Sequence, residues 1–141
     1  MIRFILVICL YLLSLIGFSQ NKTQSYKLTV SVTNAINDKG KVHFALYDSK
    51  EHFNNKQALA KAEATLIDGV GTVSFKDVKP GVYAVVCFHD ANSNGKMDFQ
   101  DNGMPLEDYG MTNNIMNFGP PLFDDGKFEV SDKNLNFEIK F

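Results

Sequence analysis

Twelve residues in the middle of the chain carry the oxygen spacing of a calcium loop: Asp90-Ala91-Asn92-Ser93-Asn94-Gly95-Lys96-Met97-Asp98-Phe99-Gln100-Asp101. Calcium is a hard cation that takes about six to eight oxygen ligands, and a loop of this length can wrap them around it. Asp90, Asn92 and Asn94 stand at positions one, three and five, and Gly95 stands at six, where the chain must turn sharply. Lys96 at seven would offer its backbone carbonyl, Asp98 stands at nine, and Asp101 closes the loop at twelve. Met97 at position eight is the apolar residue expected to pin the loop to a core. The closing residue is Asp where the general pattern has Glu, so it is one methylene shorter. With three carboxylates and two neutral amides, the expected cofactor is Ca2+ held weakly, with a Kd of roughly 10⁻⁴ to 10⁻³ M, as in extracellular modules. A polar turn would explain Asn94-Gly95 but not oxygens at five spaced positions.

Other chemistry-bearing residues point to less. His89 abuts Asp90, which suggests a His-Asp pair or a transition-metal ligand. Alternation places it on the face of Tyr83, Val85 and Cys87, as expected of a hydrogen-bonded structural histidine. His43 and His52 have no metal-ligand spacing with it. Cys87, inside a strand with apolar residues on both faces, reads as an inert small hydrophobe. No nucleophile elbow or phosphate-cradling glycine loop is present. A metal-assisted hydrolytic site of His89, Asp90 and Glu107 is the weakest of three functional readings. The first is a non-enzymatic binding module, and the second is a structural or envelope-assembly component.

A long segment without regular patterning, within 102–126, is the expected working surface, because such segments in small domains are functional or disordered. Its candidate binding residues are Glu107, Tyr109, Thr112, Asn113, Asn114, Asn117, Phe118 and Phe123, with the three Asn residues as polar readers. The competing reading is a packed loop that closes one end of the domain. An extracytoplasmic protein or glycan is the expected partner, and the absence of Trp disfavours the flat aromatic platforms used on sugars.

These segments need elements to hold them. Met1-Ile2-Arg3, the apolar run Phe4 to Phe18, and the small residues Gly17 and Ser19 follow the order of a secretory signal, with cleavage expected after Ser19. The apolar run is shorter than the roughly 20 residues of a spanning helix, so no membrane span is expected after cleavage. A 20–141 domain, periplasmic or extracellular, then follows with Cys87 as its sole cysteine. Tyr26 to Val32 and Val42 to Leu46 alternate polar and apolar residues across Asn37-Asp38-Lys39-Gly40, which predicts a hairpin. Ser49 to Ala62 reads as a loop with one helical turn. Ala64 to Ile67 and Thr72 to Phe75 flank Asp68-Gly69 as a second hairpin. Val82 to Phe88 reads as a central strand, and Phe128 to Val130 and Leu135 to Phe141 as the last strands. The sum is an all-β fold, a single antiparallel β-sandwich. Net charge is -2 over 141 residues, and no basic cluster offers a nucleic-acid footprint.

Asp77-x-x-Pro80-Gly81-x-Tyr83-Ala84-Val85, Phe88-His89-Asp90-x-Asn92-x-Asn94-Gly95-x-x-Asp98, Gly103-x-Pro105-x-Glu107-x-Tyr109-Gly110, Asn113-Asn114 and Phe118-Gly119-Pro120-Pro121-x-Phe123 together resemble a bacterial family of small exported proteins, domain of unknown function family 2141. The resemblance covers essentially the whole chain after the signal segment. Thr112 stands where members often have Ser. It implies export and a sandwich but no activity. The Pro-Gly-x-Tyr turn is also similar to those of transthyretin-like and Cna-B-like sandwiches, and the expected sandwich is transthyretin-like or Ig-like. The Asp-x-Asn-x-Asn-Gly loop is similar to calcium loops of dockerins and of adhesin B-type repeats.

Overall fold

Alternating residues do become strands, but the strands find other partners than their neighbours in sequence. The computed structural model describes residues 24–115 and 119–141. The expected signal segment 1–19 lies outside them, as do Asn117 and Phe118. β1 (Tyr26–Val32) buries Leu28, Val30 and Val32, and β2 (Lys41–Tyr47) buries Val42, Phe44 and Leu46. These two do not form the expected hairpin. β1 pairs antiparallel with β4 (Gly71–Val78) and parallel with β8 (Leu135–Ile139), in a three-stranded sheet of order β4-β1-β8. β2 pairs antiparallel with β3 (Ala60–Ala64) and β5 (Gly81–Asp90) in the other sheet. Alternation says which face of a strand is buried, not which strand lies beside it. The turn before β2 is instead tied sideways. Asp38 accepts hydrogen bonds from Asp68 N and Gly69 N at 2.9 and 2.8 Å, and Gly69 O accepts one from Ala35 N at 3.1 Å.

The second expected hairpin shrinks to a single bridge, Ile67 with Val70, around Asp68-Gly69. Beyond it the chain passes from one sheet to the other, because β3 pairs with β2 and β4 with β1. The polar 49–62 segment holds the expected helical turn, α1 (Lys50–Asn54), capped by Ser49 Oγ accepting from His52 N at 3.1 Å. Its last residues already belong to β3, an edge strand too charged and Ala-rich to be legible by pattern.

An all-antiparallel arrangement is corrected by the β1–β8 pair, which is parallel. Parallel neighbours need a long crossover, and nearly the whole domain lies between these two strands. β5 is central as expected. It carries β2 on one side, and on the other β6 (Tyr109–Met111) and β7 (Phe128–Val130), which share its length. The supposedly structureless segment therefore contains a strand, a 3-10 turn (Thr112–Asn114) and a short helical turn, α2 (Phe123–Gly126). The fold is mostly β, in two sheets. Buried residues of both meet in one apolar cluster that includes Leu28, Val30, Phe75 and Ile139 from one and Phe44, Leu46, Val85 and Cys87 from the other. Among the described residues no helix is long and apolar enough to cross a membrane.

Candidate metal centre

The 90–101 loop begins where β5 leaves its ladder, at the Asp90–Lys41 pair. Asp90 is 2% exposed, and burial alone would push its carboxyl up. Instead it is held below the usual carboxylate range. Gly95 N donates to Oδ2 at 2.8 Å, the His43 ring nitrogen Nε2 lies 3.1 Å from the same oxygen, and Asn94 N donates to Oδ1 at 3.0 Å. The chain can curl back onto Asp90 because Ser93 and Gly95 take φ of 60° and 79°.

The loop side chains converge on Asp98. Asn92 Nδ2 and Asn94 Nδ2 donate to Asp98 Oδ2 at 2.7 and 2.6 Å. Their amide oxygens accept from backbone two residues on, Asn94 N and Lys96 N, each at 3.0 Å. Such Asx turns stiffen the loop. A half-turn of either carboxamide would put an oxygen where its nitrogen now sits, so the set Asp90, Asn92, Asn94, Asp98 fits a hard cation in donor type. Lys96 is exposed. Among the described residues no three of His, Cys, Asp and Glu gather into a metal-holding group. A cation here would thus depend on carboxamide and carbonyl oxygens as well as on carboxylates.

Asp101 stands apart from these. After Asp98 the chain makes a small hairpin-like excursion, with Leu106 N donating to Asp98 O at 2.9 Å and Gln100 N to Met104 O at 2.8 Å. Asp101 is exposed at its tip. The returning limb brings Glu107 beside the loop, where Oε2 accepts from Asp98 N at 3.2 Å.

His43 is a participant that sequence reasoning missed. Its ring lies between Asp90 Oδ2 and Glu63 Oε1, the latter at 3.3 Å, and stacks on Phe88 at 5.0 Å between centroids. Cross-strand register makes these contacts, since His43 lies opposite Phe88 on β5 and Glu63 on β3. Spacing along the chain carries no trace of that. His89, by contrast, is packed away. It is 3% exposed, its Nε2 donates to Lys39 O at 2.7 Å, and its ring stacks on Phe141. Cys87 is 1% exposed, and burial pushes its thiol far up.

The candidate binding residues are largely occupied within the fold. Thr112 is fully buried, its Oγ1 accepting from Val85 N at 3.2 Å and donating to Gly126 O. Asn113, at φ 71°, donates through Nδ2 to Asp125 O and Lys127 O, both at 3.0 Å. Asn114 clamps the end of β8, donating to Glu138 O and accepting from Lys140 N, each at 2.8 Å. Phe123 is buried against Phe53, with ring centroids 6.0 Å apart. Apolar side chains also face outward here: Phe99, Met104, Leu106, Ile115 and Leu122 are all exposed. Half-buried Tyr109 lines a cleft of about 220 Å³ together with Met111, Ile115, Pro121, Lys140 and Phe141.

The family model described as "Uncharacterized protein conserved in bacteria (DUF2141)" matches residues 30–138. That is most of the chain, and the protein belongs to this family. No curated protein and no solved structure matches it.

Proposed function

We propose that this member of an uncharacterised bacterial family is an exported, calcium-stabilised, non-enzymatic β-sandwich that binds a protein or glycan through the exposed parts of the 102–126 segment. The observation that carries the reading is the convergence of Asn92 and Asn94 on Asp98, with Asp90 held at the base of the same loop. Calcium there would also order the excursion that follows, because that excursion is hydrogen-bonded to Asp98 on both sides. Export is supported by the residue pattern of 1–19. A domain without a disulfide framework gains from a metal that binds only its folded state. Periplasmic and extracellular destinations are equally compatible with this reading.

The exposed Phe99, Met104 and Leu106 on one short excursion favour a second reading, a structural or envelope-assembly component that buries this tip against another protein. A hydrolytic site of His89, Asp90 and Glu107 gains no support, because His89 donates to a backbone carbonyl in the interior.

Thermal unfolding in EDTA and in millimolar calcium, with Asp90→Ala alongside, tests the proposal. At free calcium about tenfold above Kd the expected gain is about 1.4 kcal/mol, absent in the variant. Identical melting of the parent protein in both buffers, with no heat on titration, would reduce the loop to a polar turn.

A further inference from the structure

We propose that Glu107, and not Asp101, closes the cation site, so that the site is built from two chain segments rather than one continuous loop. This inference rests on the calcium reading above and changes which residues make the site. Glu107 as a residue is half-buried, but its Oε1 is enclosed and has no hydrogen-bond partner; it is the sole such side-chain atom among the described residues. Buried carboxylate oxygens are rarely left unmet, because desolvation without a partner is costly. Something of positive or donor character belongs beside this one.

The position of the carboxylate says what. Its other oxygen accepts from Asp98 N at 3.2 Å, so Glu107 is fastened to the residue on which Asn92 and Asn94 already converge. The excursion that separates Glu107 from the loop in sequence is also what brings it back. Gln100 N bonds Met104 O, Phe99 bridges to Pro105, and Leu106 N bonds Asp98 O. The same turn carries Asp101 outward, exposed and on the far side of the bridge. A closing ligand in a twelve-residue calcium loop is a Glu that reaches the ion with both oxygens. Glu107 supplies that longer side chain from the returning limb, and the Asp at position twelve is then no defect.

Calorimetric titration of Ca2+ into the full chain, compared with Glu107→Gln and Asp101→Asn, tests this, with circular dichroism in EDTA confirming that each variant is folded. Glu107→Gln is expected to weaken calcium binding by about tenfold or more, and Asp101→Asn by less than about twofold. Should Glu107→Gln fail to fold, Glu107→Asp keeps the charge, shortens the reach, and is held to the same tenfold criterion. If the parent protein binds calcium and Glu107 variants bind as tightly, or Asp101→Asn costs as much as Glu107→Gln, this inference is overturned while the calcium reading stands. If the parent protein takes up no calcium, both fall together, and the enclosed oxygen is met by water.

Discussion

Single residues at this end of the molecule are constrained by backbone rather than by side-chain bulk. Gly40 has φ of 66°, and a Cβ there would lie 1.9 Å from the carbonyl oxygen of Asp90. Gly40→Ala therefore meets both left-handed strain and a clash with an element that cannot yield. The expected loss is at least about 1–2 kcal/mol, read as a lower urea midpoint at unchanged slope. Thr112 makes a comparable demand in the interior, where its hydroxyl serves Val85 N and Gly126 O. Thr112→Val preserves shape and strands both groups, at an expected cost of roughly 1–3 kcal/mol in the same measurement. Neither cost was legible from residue type. The sequence places Thr112 among candidate binding residues, and only its contacts with β5 and the α2 turn show it facing inward.

Elements outside the sheets are held by ion pairs that give them a pH signature. In α1, His52 Nδ1 lies 2.6 Å from Asp48 Oδ1, and that hydrogen bond, with the attraction between the charges, raises the His52 pKa above 6.5. A raised folded-state pKa stabilises fully below the unfolded value and loses that contribution as pH rises through the folded one. NMR titration should place His52 above its ordinary value, and Asp48→Asn should return it. Because the pair is exposed, the effect on global melting should be small. At α2 the sign is opposite. Lys50 and Lys127 hydrogen-bond Asp124 and hold its carboxyl below the usual range, so its contribution disappears only as pH falls through that lowered value. Lys50 and Asp124 also join α1 to α2 across the outer face, a link between segments 74 residues apart that no local pattern announces.

The whole molecule closes by bringing the two sheets together at one corner. Gly110 of β6 sits so close to β8 that a Cβ would lie 2.5 Å from Ile139 Cγ2 and 2.8 Å from Lys140 O. Cys87 lies inside the shared core, which makes its thiol a reporter of global opening. With Cys9 replaced (Cys9→Ser), so that Cys87 is the sole thiol, thiol reagents should leave the folded protein unlabelled over the time in which unfolded chain reacts completely. Where exchange between states is fast, the labelling rate should scale with the unfolded population under increasing urea. Rapid labelling without denaturant would show that β5 opens locally and is not the centre of a cooperative unit.

By itself the sequence determined the periodic strands, their buried faces, the central place of β5 and the polar loop that follows it. Each depends on residues near one another along the chain, through alternation or turn chemistry. Tertiary structure alone decided which strands are neighbours, as in the parallel β1–β8 pair, and which polar groups meet, as with His43 and Asp90. It alone tied Asn113 and Asn114 to neighbouring backbone, buried Thr112, and brought Glu107, rather than Asp101, against Asp98. Those outcomes depend on register and chain reversal between distant segments, where one residue of slip exchanges inside for outside. A linear pattern records the period of each strand but not its phase relative to another.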